Sequence, residues 1–399
     1  MSNKVKTITN DFKEGLSLSK LLAPLALVIV YAFFSLFGRN FFSYTTMVNI
    51  LDSSYYIGFL AIGVTFVIIT GGIDLSCGTV MMAATIIGGT AYKTWGWPMW
   101  LSLILIIVVS TSFGLFNGIM VSRLSLPPFI ATLGTMMISL GVGSIVSNVR
   151  SATFPARGAE DGWFKGIFKF ITEDNTSLPT GAIVLFGTAF IAFIILTRTK
   201  MGRYIFAVGS NKEAARLSGV DVQKWEMMAY VVSGFLAGLG GIAFAAVYTT
   251  VMPAQGQGFE LYAIAGAVIG GTSLSGGAGS IFGTMIGVYI MSVLRAGLPS
   301  MDLQSQYQTF FTGVVVLGAV LLDIYRTKKS SEVKIAAPSV LYRDKVMNEI
   351  AKLKTEGTVK AEQKITTLKN EMKVTYKEMA RKEKLEKAAL KKSEKEFNK

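Results

Sequence analysis

AIGVTFVIITGGIDLSCG, residues 61–78, decides how this chain is to be read. Its first ten residues carry no charge, and then a glycine pair, Gly71–Gly72, is followed by a carboxylate, Asp74. A charge at the centre of a bilayer costs roughly 2.5–3.5 kcal/mol on insertion scales, so an acid closing an oil-soluble run marks a pathway, a partner or a turn. Choosing among these requires knowing the kind of chain around it.

The chain has 399 residues, 51% of them hydrophobic. It repeats apolar stretches of about 17–24 residues, the length that crosses a ~30 Å hydrocarbon core. That pattern is a polytopic membrane protein, all-α, since helices satisfy their own backbone groups in lipid. There is no histidine and one cysteine, Cys77. No intrachain disulfide, no His- or Cys-based metal site and no Ser–His–Asp or Cys–His catalysis is available, so an intramembrane enzyme is excluded as the leading reading. Cys77, in Gly-rich apolar sequence, reads as a small packing residue.

The apolar segments fall near 20–38, 52–71, 76–94, 99–121, 128–148, 181–197, 226–249, 260–275, 280–296 and 306–325, which predicts about ten spans with Gly-rich breaks. The basic stretches are the N-terminus (1–19), the turn at Arg123, the loop 198–225 and everything after Tyr325. Four, two and four spans separate them, so the positive-inside rule places all four, and both termini, in the cytoplasm. The other side receives the segment 149–180, long and mixed in charge, which reads as an external cap. It also receives KTWGWPMW (93–100), whose three tryptophans suit an interfacial belt. The domain plan is an N-terminal stub, a permease-like body over 20–326 and a tail over 327–399. The tail holds 20 basic and 11 acidic residues out of a net charge of +14 for the whole chain. It reads as a solvated helix with a thin apolar stripe, Ile365, Leu368, Met372 and Met379. A Lys-rich segment beside the inner leaflet would also be attracted to anionic lipid. The basicity belongs to this tail and marks no nucleic-acid surface on the body.

Glycine spacing organises the body. Gly114/Gly118, Gly234/Gly238, Gly266/Gly270 and Gly283/Gly287 are small-xxx-small pairs, which let helices approach closely in lipid. GLGGIA (238–243) lies inside an apolar span with no strand before it, so it is no nucleotide fingerprint. GGIDLSCG (71–78) and GGTSLSGG (270–277) share GGxxLSxG, an echo expected of two related halves with comparable broken-helix elements.

Gly71–Gly72 permits a turn, after which Asp74 and Ser76 can cap the next helix by accepting its free N–H groups. Alternatively Asp74 lines or gates a polar path. Both readings need a break at Gly71–Gly72, tolerated at membrane depth only where backbone faces protein or water. Other span residues are neutral hydroxyls and amides, among them Asn117 and Thr132, which suit a route for an uncharged polyhydroxylated solute or hydrogen bonds between helices. Glu226 and Arg295 sit near span ends, within reach of the interface.

In GRYIFAVGSNKEAARLSGVDVQKW (202–225), Gly209, Ser210 and Asn211 read as a turn. Ser210 or Asn211 can cap a helix from about Lys212, with Glu213 in its first turn and Gly219 stopping it. A short link between two spans has been given a folded element, and such an element usually contacts something.

TGGIDLSCGTV, PPFIATLGTMM, GRYIFAVGSNKEAARLSGV and ELYAIAGAVIGGTSLSGGAGSIFGTMIG occur here in that order. Together they resemble the permease subunits of ribose/xylose/galactoside-type ABC importers, whose membrane domain is of the branched-chain-permease kind. The resemblance covers about residues 20–326. It implies a ten-span fold and a bacterial inner-membrane location. It also implies a pair of permeases, a cytoplasmic ATPase pair that binds ATP and Mg, and an external sugar-binding protein. The family's cytoplasmic coupling helix maps onto Asn211–Gly219, with Gly209, Asn211, Glu213, Ala214, Ala215 and Gly219 as its residues. No G-x-x-x-x-G-K-[ST] occurs, so this chain itself holds no such nucleotide site. The Lys/Glu tail departs from the family's short C-terminus.

The expected function is passive translocation of a monosaccharide, driven by ATP hydrolysis on a partner chain. Asp74, Ser76, Asn117 and Thr132 are the candidate path or gate residues. The alternatives are a nucleoside permease of the same architecture and a stand-alone ion-coupled carrier. The last would need titratable groups in the spans, where they are scarce.

Overall fold

The structure is a computed structural model that describes residues 18–172 and 176–331, and in the tail parts of 342–382. Residues 1–17, 173–175, 332–341 and 383–399 lie outside the described residues. Two compact units form, residues 1–327 and 328–399.

The first unit is mostly helical. Each of the ten apolar segments is a helix: α1 Leu18–Phe37, α2 Tyr44–Ile69, α3 Cys77–Lys93, α4 Met99–Ser122 and α5 Pro128–Val146. After the segment 149–180 come α6 Gly181–Arg198, then two helices of the loop 198–225, α7 Lys200–Ser210 and α8 Lys212–Leu217. The series closes with α9 Val222–Tyr248, α10 Phe259–Ile269, α11 Ile281–Ser300 and α12 Ser305–Ser331. Six of these (α2, α4, α5, α6, α9 and α11) are long and apolar enough to cross a membrane by length and composition. Two strand pairs of two residues each, Ala152–Thr153 with Thr250–Val251 and Phe170–Ile171 with Ser177–Leu178, depart from the all-α expectation.

α2 is the axis of the body: its apolar stretch is wholly buried. α4, α5 and α6 instead leave large apolar side chains such as Ile104, Ile138 and Phe190 on the outside. A helix that is apolar on its exposed face needs a lipid solvent. Helix starts follow local chemistry. Ser43 Oγ accepts from Thr46 N before α2, Asp221 Oδ1 from Lys224 N before α9, and Ser280 Oγ from Gly283 N before α11, while Pro128 opens α5.

The small-xxx-small pairs meet one another. Gly114 of α4 faces Gly234 of α9, and a Cβ on either would press on the other's Cα. Gly266 and Gly270 of α10 likewise lie against Gly287 and Gly283 of α11. Both glycines of the last two pairs meet, whereas in the first two only Gly114 and Gly234 do, with Gly118 against Met227 and Gly238 against Ser110. Such close approaches suit dispersion-driven packing in lipid.

The segment 149–180 is tied down by buried cations. Lys169 Nζ lies 2.6 Å from Asp52 Oδ2 of α2. Lys165, among the most buried large side chains, donates to Thr249 Oγ1 at 2.8 Å. Burial pushes the Lys165 amine down from its ordinary 10.5 to about 8, and the Arg157 charge adds to this. The unfolded chain therefore binds the extra proton between pH 8 and 10.5. Below pH 8 the buried charge is a fixed cost, and stability rises as pH passes through 8. The thermal midpoint of the detergent-solubilised protein is expected to rise between pH 8 and 9.5, and Lys165→Met is expected to remove that rise.

In the second unit, Ile365, Leu368 and Met372 pack against Val346, Ile350 and Leu353, and Arg343 lies over the Tyr376 ring. The stripe therefore faces a partner segment of the tail itself.

Candidate functional site

The break after α2 is a glycine-terminated helix end. Gly71 has φ +80°, its N–H donates to Ile68 O, and Gly72 N–H reaches back five residues to Val67 O. This is the Schellman pattern, with its left-handed residue at the glycine. α10 ends the same way: Gly271 has φ +97°, donates to Val268 O, and Thr272 N–H reaches Ala267 O. The two halves of the sequence echo are thus equivalent structures, but in a register shifted by one. Gly71 matches Gly271, although the shared motif pairs it with Gly270.

Asp74 closes the first break. Its Oδ1 accepts from Ser76 N at 3.0 Å and Ser76 Oγ at 2.7 Å, and its Oδ2 accepts from Ser233 Oγ of α9 at 2.8 Å. Asn117 Nδ2 of α4 donates to Ser76 Oγ at 2.8 Å. Asp74, Ser76, Asn117 and Ser233 are all buried, so α3, α4 and α9 converge on one carboxylate. Ser76 holds the N-cap position of α3 but makes no side-chain cap bond. The expected capping by Ser76 is corrected: its hydroxyl is used by Asp74 and Asn117. Thr132 does not join them, since its hydroxyl donates to Pro128 O of its own helix. Its place in a common path with Asp74 has no contact behind it.

The second break is held by an acid that the sequence reading passed over. Asp323 of α12 accepts from Leu274 N at 2.9 Å and Ser273 Oγ at 3.4 Å. A lone acid inside GAVLLDIYR (318–326) was the available signal. Glu260 was missed as well. It accepts from Gly258 N at the start of α10, and its other oxygen sits beside Gly78 at the start of α3.

The loop 198–225 folds into two helices where one was expected. α7 is amphipathic and carries Gly209 and Ser210 in its last turn, so these two residues are helical and form no turn, and Gly209 is no part of the short helix that follows. The turn was misread because glycine and serine were taken as breakers, whereas Gly209 is there for a close approach. A Cβ on it would overlap the Ile69 carbonyl and meet Gly277 N. Gly277 N in turn donates to Ile69 O at 2.9 Å, and a Cβ on Gly276 would crowd Gly71 and the Gly209 carbonyl. The end of α7 and both breaks therefore meet at one backbone junction.

α8 begins as read. Asn211 Oδ1 accepts from Ala214 N at 2.9 Å, and Gly219, with φ +80°, ends the helix. Ala215 is buried with Val208 and Val222 in a small core of its own. Lys212 pairs with Glu226 at 2.8 Å, locking α8 to the first turns of α9. Glu226 is thereby buried and paired. Glu213 and Ala214 face outward, and so does Leu217, 88% exposed on a helix of six residues. An apolar side chain held out by a rigid base is a contact surface.

Arg295 is half-buried near the end of α11. Its guanidinium lies over the rings of Tyr56, Phe259 and Tyr262, at 5.7, 5.6 and 5.5 Å from their centres.

Against this geometry, residues 46–320 match the family described as branched-chain amino acid transport system / permease component. The chain belongs to that permease family. It is a multi-pass membrane protein. The ribose import permease protein of Haemophilus influenzae is 35% identical over 327 residues, 82% of this chain and 99% of that one. The fructose import permease protein of Rhizobium meliloti is 34% identical over 80% of this chain and 89% of its own. The D-allose transport system permease protein of Escherichia coli is 32% identical over 74% and 88%. No solved structure matches the chain. The expectation of a sugar-importer-like permease therefore stands at the level of family, and the matched span of this permease takes in both breaks, the junction and α8.

Proposed function

We propose that this permease is the membrane subunit of an ATP-driven importer of a monosaccharide such as ribose, fructose or allose. An extracytoplasmic binding protein delivers the sugar. A cytoplasmic ATPase pair, holding ATP and Mg, drives a second copy or paralogue together with this chain. In this reading the ten apolar helices all cross the bacterial cytoplasmic membrane, with both termini inside. The likeness to three sugar permeases supports the substrate class.

One observation carries the mechanism: α8 is an anchored, outward-facing helix, and α7, which leads directly into it, abuts the carbonyl at the end of α2. Force on α8 passes through the Lys212–Glu226 pair to α9 and through Gly209 to Ile69. Both routes reach Asp74, by way of Ser233 and of the break itself. Movement there re-aims α3 against α4 and α9, which is a means of opening a path on one side and closing it on the other.

Leu217→Glu tests the docking role. It alters no internal contact, so the protein is expected to assemble in normal amount, while uptake falls at least tenfold through lost ATPase coupling. Uptake of labelled ribose, fructose and allose in cells with the complete system, alongside membrane abundance, checks this. Normal uptake removes the assignment of α8 as the ATPase contact.

A further inference from the structure

Arg295 is a cation on an otherwise uncharged helix, α11, and among the described residues no carboxylate pairs with it. Such a charge is costly in a membrane body and is kept where it serves a pathway. Here three aromatic faces hold it. Ring quadrupoles stabilise a guanidinium from above and below, while its five N–H donors lie in its plane. The Tyr262 and Tyr248 hydroxyls take some of them and leave the rest for a ligand. Beside it, between α10, α11 and α12, lies a cavity of about 260 Å³. Arg295, Gln257, Phe259, Tyr262, Thr309 and Thr312 line it. Thr312 donates to Tyr262 Oη at 3.3 Å, fixing that ring against α12.

The lining combines aromatic faces with amide, hydroxyl and guanidinium groups. Aromatic faces accept the slightly positive C–H face of a sugar ring, and the polar groups match its hydroxyls and ring oxygen. One cation without a second basic group beside it serves a neutral oxygen-rich ligand better than a phosphate. A cavity of about 260 Å³ has room for a ligand the size of one pentose or hexose, about 10–12 heavy atoms. We propose that this cavity is a binding site for the transported monosaccharide, with Arg295 and Tyr262 as its selecting contacts. The proposal rests on the sugar-permease reading above and adds the place where the sugar is held.

The only cysteine, Cys77, is buried, so Thr309→Cys supplies a single reactive thiol on the exposed rim of the cavity. The rate of its modification by a small methanethiosulfonate reagent is measured in the assembled complex, with and without ribose, fructose or D-allose. Uptake of the same sugars is measured in parallel. The transported sugar is expected to slow modification at least threefold. Arg295→Ala is expected to abolish that protection, and Arg295→Lys, which keeps the charge but loses the flat stack, to weaken it and raise the KM for uptake. A sugar that is transported yet gives no protection, or protects Arg295→Ala equally, overturns the cavity while leaving the permease reading intact. Transport of none of the three overturns the reading beneath it. Protection by the carboxylate ribonate and not by ribose overturns the neutral-sugar assignment.

Discussion

Asp74→Ala is expected to destroy the protein's folded state or its transport, and Asp74→Asn to separate the two. Alanine leaves the Ser76 N–H, the Ser76 hydroxyl and the Ser233 hydroxyl without their buried acceptor. At about 1–3 kcal/mol for each stranded donor, partly relieved by rearrangement, the total is about 3–5 kcal/mol. That is a large part of the stability of an ordinary domain. Asparagine keeps one carbonyl acceptor and the same shape, so its cost should stay near 1–2 kcal/mol. Folded yield after detergent extraction, unfolding in denaturant and sugar uptake are the three measurements. Near-normal yield of Asp74→Asn with uptake lowered at least tenfold would give the carboxylate a role in the path. Near-normal yield and uptake together would make it the fastening of the break and nothing more. Wild-type stability in Asp74→Ala would remove the carboxylate from both roles.

Gly209→Ala carries the second large effect. The added methyl would overlap the Ile69 carbonyl and crowd Gly277 N, both of them backbone atoms that cannot rotate away. The end of α7 must shift, and the Gly277–Ile69 hydrogen bond with it. Uptake is expected to fall at least tenfold while ATP hydrolysis by the complex persists, a signature of lost coupling. Gly219→Ala is the contrast. It has open space and only its positive φ to strain, a penalty of about 1 kcal/mol. Its uptake should stay within a few-fold of wild type. Equal damage in both variants would mean that loop rigidity, and not the backbone junction, is what the transporter needs.

What sequence alone disclosed follows from how far each interaction reaches along the chain. The apolar segments, the glycine end of α2, the Asn211 cap and the Gly219 stop depend on neighbours within about five residues, and all are where local chemistry put them. The small-xxx-small pairs were visible one helix at a time, though not which pair met which. Contacts across the chain were out of reach. Ser233 lies 159 residues from Asp74, Lys169 lies 117 from Asp52, and Asp323 lies 49 from Leu274. Gly209 misled for the same reason. In sequence it is a helix breaker, and in space it is a gap for the backbone of a helix 140 residues away. The aromatic cage of Arg295 was out of reach because its rings come from α2 and α10, with Tyr56 239 residues before the arginine on α11.

The account stands on α8 facing the ATPase side. With Cys77 buried, Leu217→Cys gives a single exposed thiol at the tip of that helix. A membrane-impermeant maleimide is expected to label it in inside-out membrane vesicles, to leave it untouched in intact cells, and to be blocked when the ATPase subunits are bound. Labelling in intact cells would contradict the account.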